Sequence, residues 1–294
     1  MYVIVGANGF LGAYMQKAVK EKTNERILAL DANVSNVKND DRTDWMKCDV
    51  TQKQDIERVT ELLSQYKNHK VIYLAAYHHP DMVEKNPKTA WNVNITALSN
   101  FMNTVGHVKC FFYPSTDSVY GDGGSKRHFK ETDELNPVNR YGRQKSAAEY
   151  LVRMYGYNVV RFPFLIAPSL LPYKKHFYDQ IADTISKGEK MEMFVDSMRS
   201  SLDFATAADL VIQLMEKYRE DMPDILNVSG DDDLSKYDVG IMIAKKLGVS
   251  KELIVPITAE QPEGIFDAKR AKSTLLDNSQ VKKYLGLQEI KIHL

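Results

Sequence analysis

The first twelve residues constrain the chain most. Tyr2-Val3-Ile4-Val5 is an apolar run of strand length, and it leads through Gly6-Ala7-Asn8-Gly9-Phe10-Leu11-Gly12 into an amphipathic stretch ending near Lys22. Strand, glycine-rich turn and helix in that order make the unit that holds a dinucleotide pyrophosphate, because N–H groups converge at a helix N-terminus and no Cβ blocks the approach. Gly6 and Gly9 are expected to supply the turn and the close approach, and Gly12 the tight packing of helix on strand. Asn8, Phe10 and Leu11 complete this expected cofactor-binding loop. The G-x-x-G-x-x-G spacing has one more residue between its first two glycines than the common fingerprint. An α/β chain with a doubly wound parallel sheet is the fold such a start predicts.

Composition removes several alternatives. The 294 residues suffice for one large α/β domain or a domain with a smaller lobe. Lysine plus arginine equal aspartate plus glutamate at 39 each, so no net field recruits nucleic acid or an anionic membrane. Cys48 and Cys110 fall in segments that read as strands, which points to buried thiols in a reducing compartment, and neither has a partner at metal-ligand spacing. With a strand beginning at residue 2 and no apolar run near the roughly 20 residues that span a bilayer, a cytoplasmic protein is expected.

Farther along, Arg26-Ile27-Leu28-Ala29-Leu30 reads as a second strand ending on Asp31. A carboxylate there accepts from both adenosine ribose hydroxyls and repels a 2′-phosphate, so NAD is favoured over NADP; the alternative is a turn with Asn33 and Ser35. Trp45 to Cys48 leads into Asp49-Val50, where Asp49 either meets the adenine amino group or caps the helix that runs to about Tyr66. Val71 to Ala76 is an expected fourth strand whose end, Ala75-Ala76, lets cofactor and backbone approach. His78 and His79 form no metal set, since adjacent extended residues point to opposite sides. Pro87 to about Val105 reads as a long helix with Trp91, Ile95, Leu98 and Met102 as a core stripe, and Lys109 to Pro114 as a fifth strand.

Chemistry concentrates after that strand. Ser115-Thr116-Asp117-Ser118-Val119-Tyr120-Gly121 places hydroxyls at the carboxyl end of a sheet strand, where open α/β sheets bind ligands. Tyr141 and Lys145 stand four residues apart, on one face of a helix. A cation near a tyrosine lowers the phenol pKa toward a range useful for proton transfer, and a hydroxyl from Thr116 or Ser115 could hold the same substrate oxygen.

Together these residues resemble the extended short-chain dehydrogenase/reductases. The resemblance also takes in Asp49-Val50, Leu74-Ala75-Ala76, Asn92-Val93-Asn94, Arg161-Phe162-Pro163-Phe164 and Asp203-Phe204 with Asp209-Leu210. The tail, from Leu226 to Gly230, Ser235 to Leu247 and Asp267 to Asp277, is similar to dTDP-4-dehydrorhamnose reductases and related sugar-nucleotide-binding proteins, with Arg270-Ala271 where those have arginine-proline. The resemblance implies a Rossmann domain over 1–165 and a mainly substrate-binding lobe over 166–294, with segments near 200–230 returning to the first domain. It implies Tyr141 as acid/base, Lys145 on the nicotinamide ribose, Thr116 on the sugar carbonyl with Ser115 nearby, and Arg199 and Arg270 on a nucleotide-sugar diphosphate. For both arginines the alternative is a surface ion pair. A reductase of a nucleotide-linked 4-keto deoxysugar is the activity expected, with NAD(P)(H) as cofactor. A 4-epimerase and a non-catalytic regulatory subunit are the alternatives; dehydration is disfavoured because Ser118, not a glutamate, follows Asp117. Helices around Ala90 to Asn103 and Ser146 to Tyr155 could form a homodimer bundle.

Overall fold

The computed structural model describes residues 1–124, 127–258 and 266–294. The first half runs β1 (Tyr2–Val5), α1 (Phe10–Lys22), β2 (Ile27–Asp31), β3 (Thr43–Lys47), α2 (Lys53–Ser64), β4 (Lys70–Tyr73), α3 (Pro80–Lys85) and α4 (Pro87–Trp91). A π-helical stretch, Asn92–Ala97, joins α4 to α5 (Leu98–Thr104), followed by β5 (Cys110–Thr116), β6 (His128–Phe129), α6 (Arg140–Met154) and β7 (Asn158–Phe162). Then come α7 (Phe177–Ser186), β8 (Met191–Phe194), β9 (Met198–Arg199), α8 (Phe204–Glu216), β10 (Ile225–Asn227) and β11 (Leu234–Ser235). The chain closes with α9 (Lys236–Leu247), β12 (Ile254–Ile257), β13 (Ser273–Leu276) and α10 (Ser279–Leu285).

Seven of these strands form a parallel sheet in the order β10-β7-β5-β4-β1-β2-β3. Alternation along β1 shows why both faces must be covered: Tyr2 and Ile4 enter one core with Met15, Val19, Leu210 and Leu214, while Val3 and Val5 enter the other with Val59, Leu98, Phe101 and Val152. Helices α1 and α8 close the first face, α2, α5 and α6 the second. The fold is thus the expected doubly wound one. Strand order reverses at β1, which opens a crevice at the carboxyl ends of β1 and β4, where sheets of this kind take their ligands.

Later segments, together with β6, build two further small sheets. Strands β11-β9-β13-β6 make a second sheet, and β8 pairs with β12 against a separate core containing Ile181, Ile185, Val239, Ile243 and Ile254. Helix α8 and strand β10 lie in the first core and the first sheet.

Three local expectations change. Strand β4 stops at Tyr73, so Leu74 to Ala76 leave the ladder after one bond from Leu74 N to the Val5 carbonyl (2.7 Å). Trp91 is 50% exposed, whereas Ile95, Leu98 and Met102 are buried; the extra residue of the π turn rotates Trp91 out of the stripe and puts Ala90 inside. Cys48 lies just past β3, while Cys110 begins β5; both are free, buried thiols pushed up to about 12 by desolvation. No described helix is long and apolar enough to cross a membrane.

Candidate active site

The glycine loop shows why its residues are small. Gly6 has φ of +87°, and a Cβ there would stand 2.8 Å from Ala75 N; at Gly12 it would stand 2.5 Å from the Ala7 carbonyl oxygen. Gly6 makes the turn against the end of β4, and Gly12 seats α1 on the loop. Gly9 differs: its added Cβ would meet only the Gly6 oxygen, at 3.4 Å. Among the described residues no side chain caps α1, whose N-cap is Gly9, and its first turn holds no acid. An uncapped helix start with an open glycine fits a pyrophosphate.

The other expected cofactor residues divide by what their side chains do. Asp31 Oδ2 accepts from Asn8 N and Oδ1 from Asn33 N, both at 3.0 Å, so the turn and the loop share one carboxylate beside the crevice. Asn8 is buried and donates to the Asn33 carbonyl (2.7 Å). Asp49 closes a local turn, accepting from Thr51 N (2.9 Å) and Thr51 Oγ1 (2.7 Å), but it does not cap α2, whose N-cap is Gln52. Val50 lies in the core beneath, Leu11 lies against the other core, and Phe10 stacks edge-on against His176 at 4.9 Å. Ala75 and Ala76 line the exit from β4, half-buried.

At the end of β5, strand alternation separates two hydroxyls treated together above. Ser115 is buried and donates to Glu149, which also holds Arg161, so it does not join Thr116 in the crevice. Thr116 lies beside Tyr141, while its own hydroxyl donates to Asp117 (3.1 Å) and accepts from Ser118 N (3.2 Å). Helix α6 puts Tyr141 there: Asn139 caps it through Gly142 N (2.9 Å), and a Cβ on Gly142 would stand 2.4 Å from the Ser118 carbonyl oxygen, so only glycine lets the helix start lie against the strand end. One turn on, Lys145 Nζ donates to Tyr113 OH (2.7 Å) and to the Pro114 carbonyl (2.6 Å).

This arrangement corrects the expected electrostatics. Tyr141 is held above the usual phenol range, first by burial and then by the Asp117 carboxylate, against which the neighbouring Thr116 hydroxyl pulls it down. Lys145 does not lower it, because the ammonium is turned onto Tyr113 and Pro114 and is itself pushed down to about 7 by burial. In the protein alone, Tyr141 is a protonated acid.

The far wall is cationic. Arg199 on β9 pairs through Nε with Asp117 (3.1 Å), while its terminal nitrogens donate to the carbonyls of Met198, Ala271 and Lys272. Asp117 in turn accepts from Thr116 (3.1 Å) and Thr274 (2.6 Å), so Arg199 fixes the residue behind Thr116. Arg270 pairs with Asp81 at 2.8 Å and lies over the Phe266 ring. Neither arginine is an isolated surface cation. Lys236, the first residue of α9, lies with them.

A family model described as RmlD substrate binding domain matches residues 1–292. The chain belongs to that family. Two curated relatives and one solved structure show what the chain is similar to. A probable low-salt glycan biosynthesis reductase, Agl14, of Haloferax volcanii is 28% identical, over 98% of this chain and 94% of the relative. The methionine adenosyltransferase 2 subunit beta of Danio rerio is 25% identical, over 97% and 84%. The crystal structure of dTDP-4-dehydrorhamnose reductase from Bacillus anthracis in complex with NADP superposes with a TM-score of 0.79 at 21% identity, covering 98% of this chain and 94% of that one.

Within this RmlD-family fold, Asn94, already part of the Asn92-Val93-Asn94 match, gains a role, and Tyr113 and Lys236 lie outside the motifs. Asn94, inside the π turn, accepts from Tyr77 N (2.8 Å) and donates to the Tyr77 carbonyl (3.1 Å) and Gln144 (2.8 Å), pinning the loop after β4 to α6. A buried amide in an apolar helical stripe is the signal for it. Tyr113, the polar end of Cys-Phe-Phe-Tyr, orients Lys145. Lys236 follows the Ser235 cap directly; a lysine at a helix start, opposed by the dipole, is its signal.

Proposed function

We propose that this RmlD-family chain is an NAD(P)H-dependent oxidoreductase that reduces the 4-keto group of a nucleotide-linked deoxysugar. The observation that carries the reading is the meeting of Thr116, Tyr141 and Lys145 at the carboxyl end of the sheet, with cations on the opposite wall. A reduced nicotinamide cofactor, held by its pyrophosphate at the glycine loop, would supply the hydride. Tyr141 is the acid: protonated at neutral pH, it gives its proton to the carbonyl oxygen as charge develops there. Thr116, fixed by Asp117, supports the same oxygen by hydrogen bonding. Lys145 is assigned to the nicotinamide ribose, its Nζ aimed by Tyr113 and the Pro114 carbonyl. Asp31 supports NAD over NADP, since a 2′-phosphate beside a carboxylate is repelled.

The test is to follow NADH and NADPH absorbance with a panel of nucleotide 4-keto-6-deoxysugars and to weigh the products. A two-hydrogen mass gain matched to cofactor loss is expected. Cofactor loss without a reduced sugar points to another carbonyl substrate, and isomer formation on ordinary nucleotide sugars without net loss points to an epimerase.

The likeness to a methionine adenosyltransferase subunit favours one further reading, a cofactor-binding regulatory subunit. Co-purification of a stoichiometric protein partner without cofactor consumption would support it. We assign the exposed Trp91, Tyr150 and Met154, on α4 and α6, to a homodimer contact, for which sedimentation should show a dimer that Tyr150→Glu dissociates.

A further inference from the structure

One group on the cationic wall is used neither by the fold nor by the acid-base apparatus. Lys236 opens α9, where Ser235 Oγ accepts from Asp238 N (3.0 Å) and the Asp238 carboxylate accepts from Ser235 N (2.8 Å), so its backbone position is fixed. A cation here faces the positive end of the helix dipole. Its ammonium lies 5.7 Å from the centre of the Phe164 ring and 5.6 Å from that of Phe177, and Arg199 and Arg270 are near enough to repel it. Burial chiefly, and these two charges, push it down to about 8. Among the described residues no carboxylate pairs with it, whereas Arg199 has Asp117 and Arg270 has Asp81.

We propose that Lys236 is the principal anion-binding residue of this cleft and receives the diphosphate of the nucleotide-linked substrate, with Arg270 beside it and Arg199 confined to positioning Asp117. The assignment rests on the nucleotide-sugar reading above. One ligand charge answers every unfavourable feature of the lysine together: it screens the two arginines, satisfies the dipole at the start of α9 and replaces lost hydration. The strand register brings β11 beside β9, with Leu234 opposite Arg199 and Ser235 opposite Met198, and Lys236 follows directly where β11 gives way to α9. Four of the five N–H donors of Arg199 are already engaged by Asp117 and by the carbonyls of Met198, Ala271 and Lys272, which leaves it little to offer a diphosphate.

The experiment is calorimetric titration of dTDP and of UDP into the whole protein and its Lys236→Met and Lys236→Arg variants, with NADH binding and the melting temperature measured alongside. The proposal expects Lys236→Met to weaken the bound nucleoside diphosphate by about 30-fold, as for loss of one charged hydrogen bond, while Lys236→Arg stays within a few-fold of wild type. NADH affinity should be unchanged in both, and the unliganded Lys236→Met protein should melt no lower than wild type, since it loses a desolvated and repelled charge. Wild-type affinity for the diphosphate in Lys236→Met overturns the assignment and leaves the reductase reading intact. A wild-type protein that binds NADH but neither nucleoside diphosphate overturns the nucleotide-sugar reading and the Lys236 assignment with it.

Discussion

Tyr141 and Lys145 lie one helical turn apart, yet their environments push them in opposite directions: the phenol is driven up and the ammonium down to about 7. Both shifts come chiefly from burial, which penalises whichever form is charged. Tyr141→Phe should therefore lower turnover at least 100-fold while NADH binding stays within about two-fold, measured by steady-state rates and fluorescence titration. Near-normal turnover in that variant would remove Tyr141 from the acid role. Lys145 makes a pH prediction. An unfolded lysine stays protonated to about 10.5, whereas the folded one releases its proton near 7, so between these values the unfolded state binds more protons and rising pH favours the fold. The burial cost is fully present below 7 and gone above 10.5. Urea midpoints should accordingly show wild type gaining on Lys145→Met as pH is raised from 7 to 10; a constant difference would mean Lys145 stays charged in the fold.

At the scale of an element, the strand, glycine turn and helix from Tyr2 to Lys22 separate two uses of glycine. Gly12→Ala drives a Cβ into a backbone carbonyl that cannot step aside, and it should cost about 1–3 kcal/mol in chemical denaturation. Gly9→Ala meets nothing closer than 3.4 Å, so stability should hold while NADH affinity falls at least ten-fold. Equal loss of stability in the two variants would show that Gly9 serves the fold and not a ligand. The helix from Pro87 to Thr104 teaches the opposite lesson about reading periodicity. Its stripe is right from Ile95 onward and wrong at Trp91, because a π turn inserts one residue into the count.

Across the whole molecule, one buried polar network ties the two sheets. Arg161 on β7 holds Glu149 of α6 at 2.7 Å and donates to Tyr120 OH, which donates to Asn227 of β10 at 2.9 Å. Asn227 donates in turn to the carbonyls of Phe129 (2.8 Å) and Asp277 (3.1 Å), at the edge of the smaller sheet. Arg161 is 2% exposed, so Arg161→Met strands a buried carboxylate and should cost about 3–5 kcal/mol. The double variant Arg161→Met, Glu149→Leu should recover most of that loss in urea denaturation. If it does not, the network holds the sheets through the lost hydrogen bonds themselves.

The parts of the site that were legible are those where chemistry and backbone are set within a few residues. Gly6, Gly9 and Gly12 declare their turn by spacing, Thr116 lies at a strand end, and Tyr141 and Lys145 share a helix face, so sequence alone determined the doubly wound fold and the acid-base candidates. Tertiary structure decided which neighbours face which way and which charges already have partners. Ser115 turns to Glu149 because adjacent strand residues point apart, and Lys145 turns to Tyr113 because β5 passes beneath α6. Arg199 is engaged by Asp117, more than 80 positions earlier in the chain, while Lys236 is left without a carboxylate among the described residues. A charge read from sequence is only a capacity to attract an anion. Whether that capacity remains for a ligand depends on long-range packing, which local pattern does not encode.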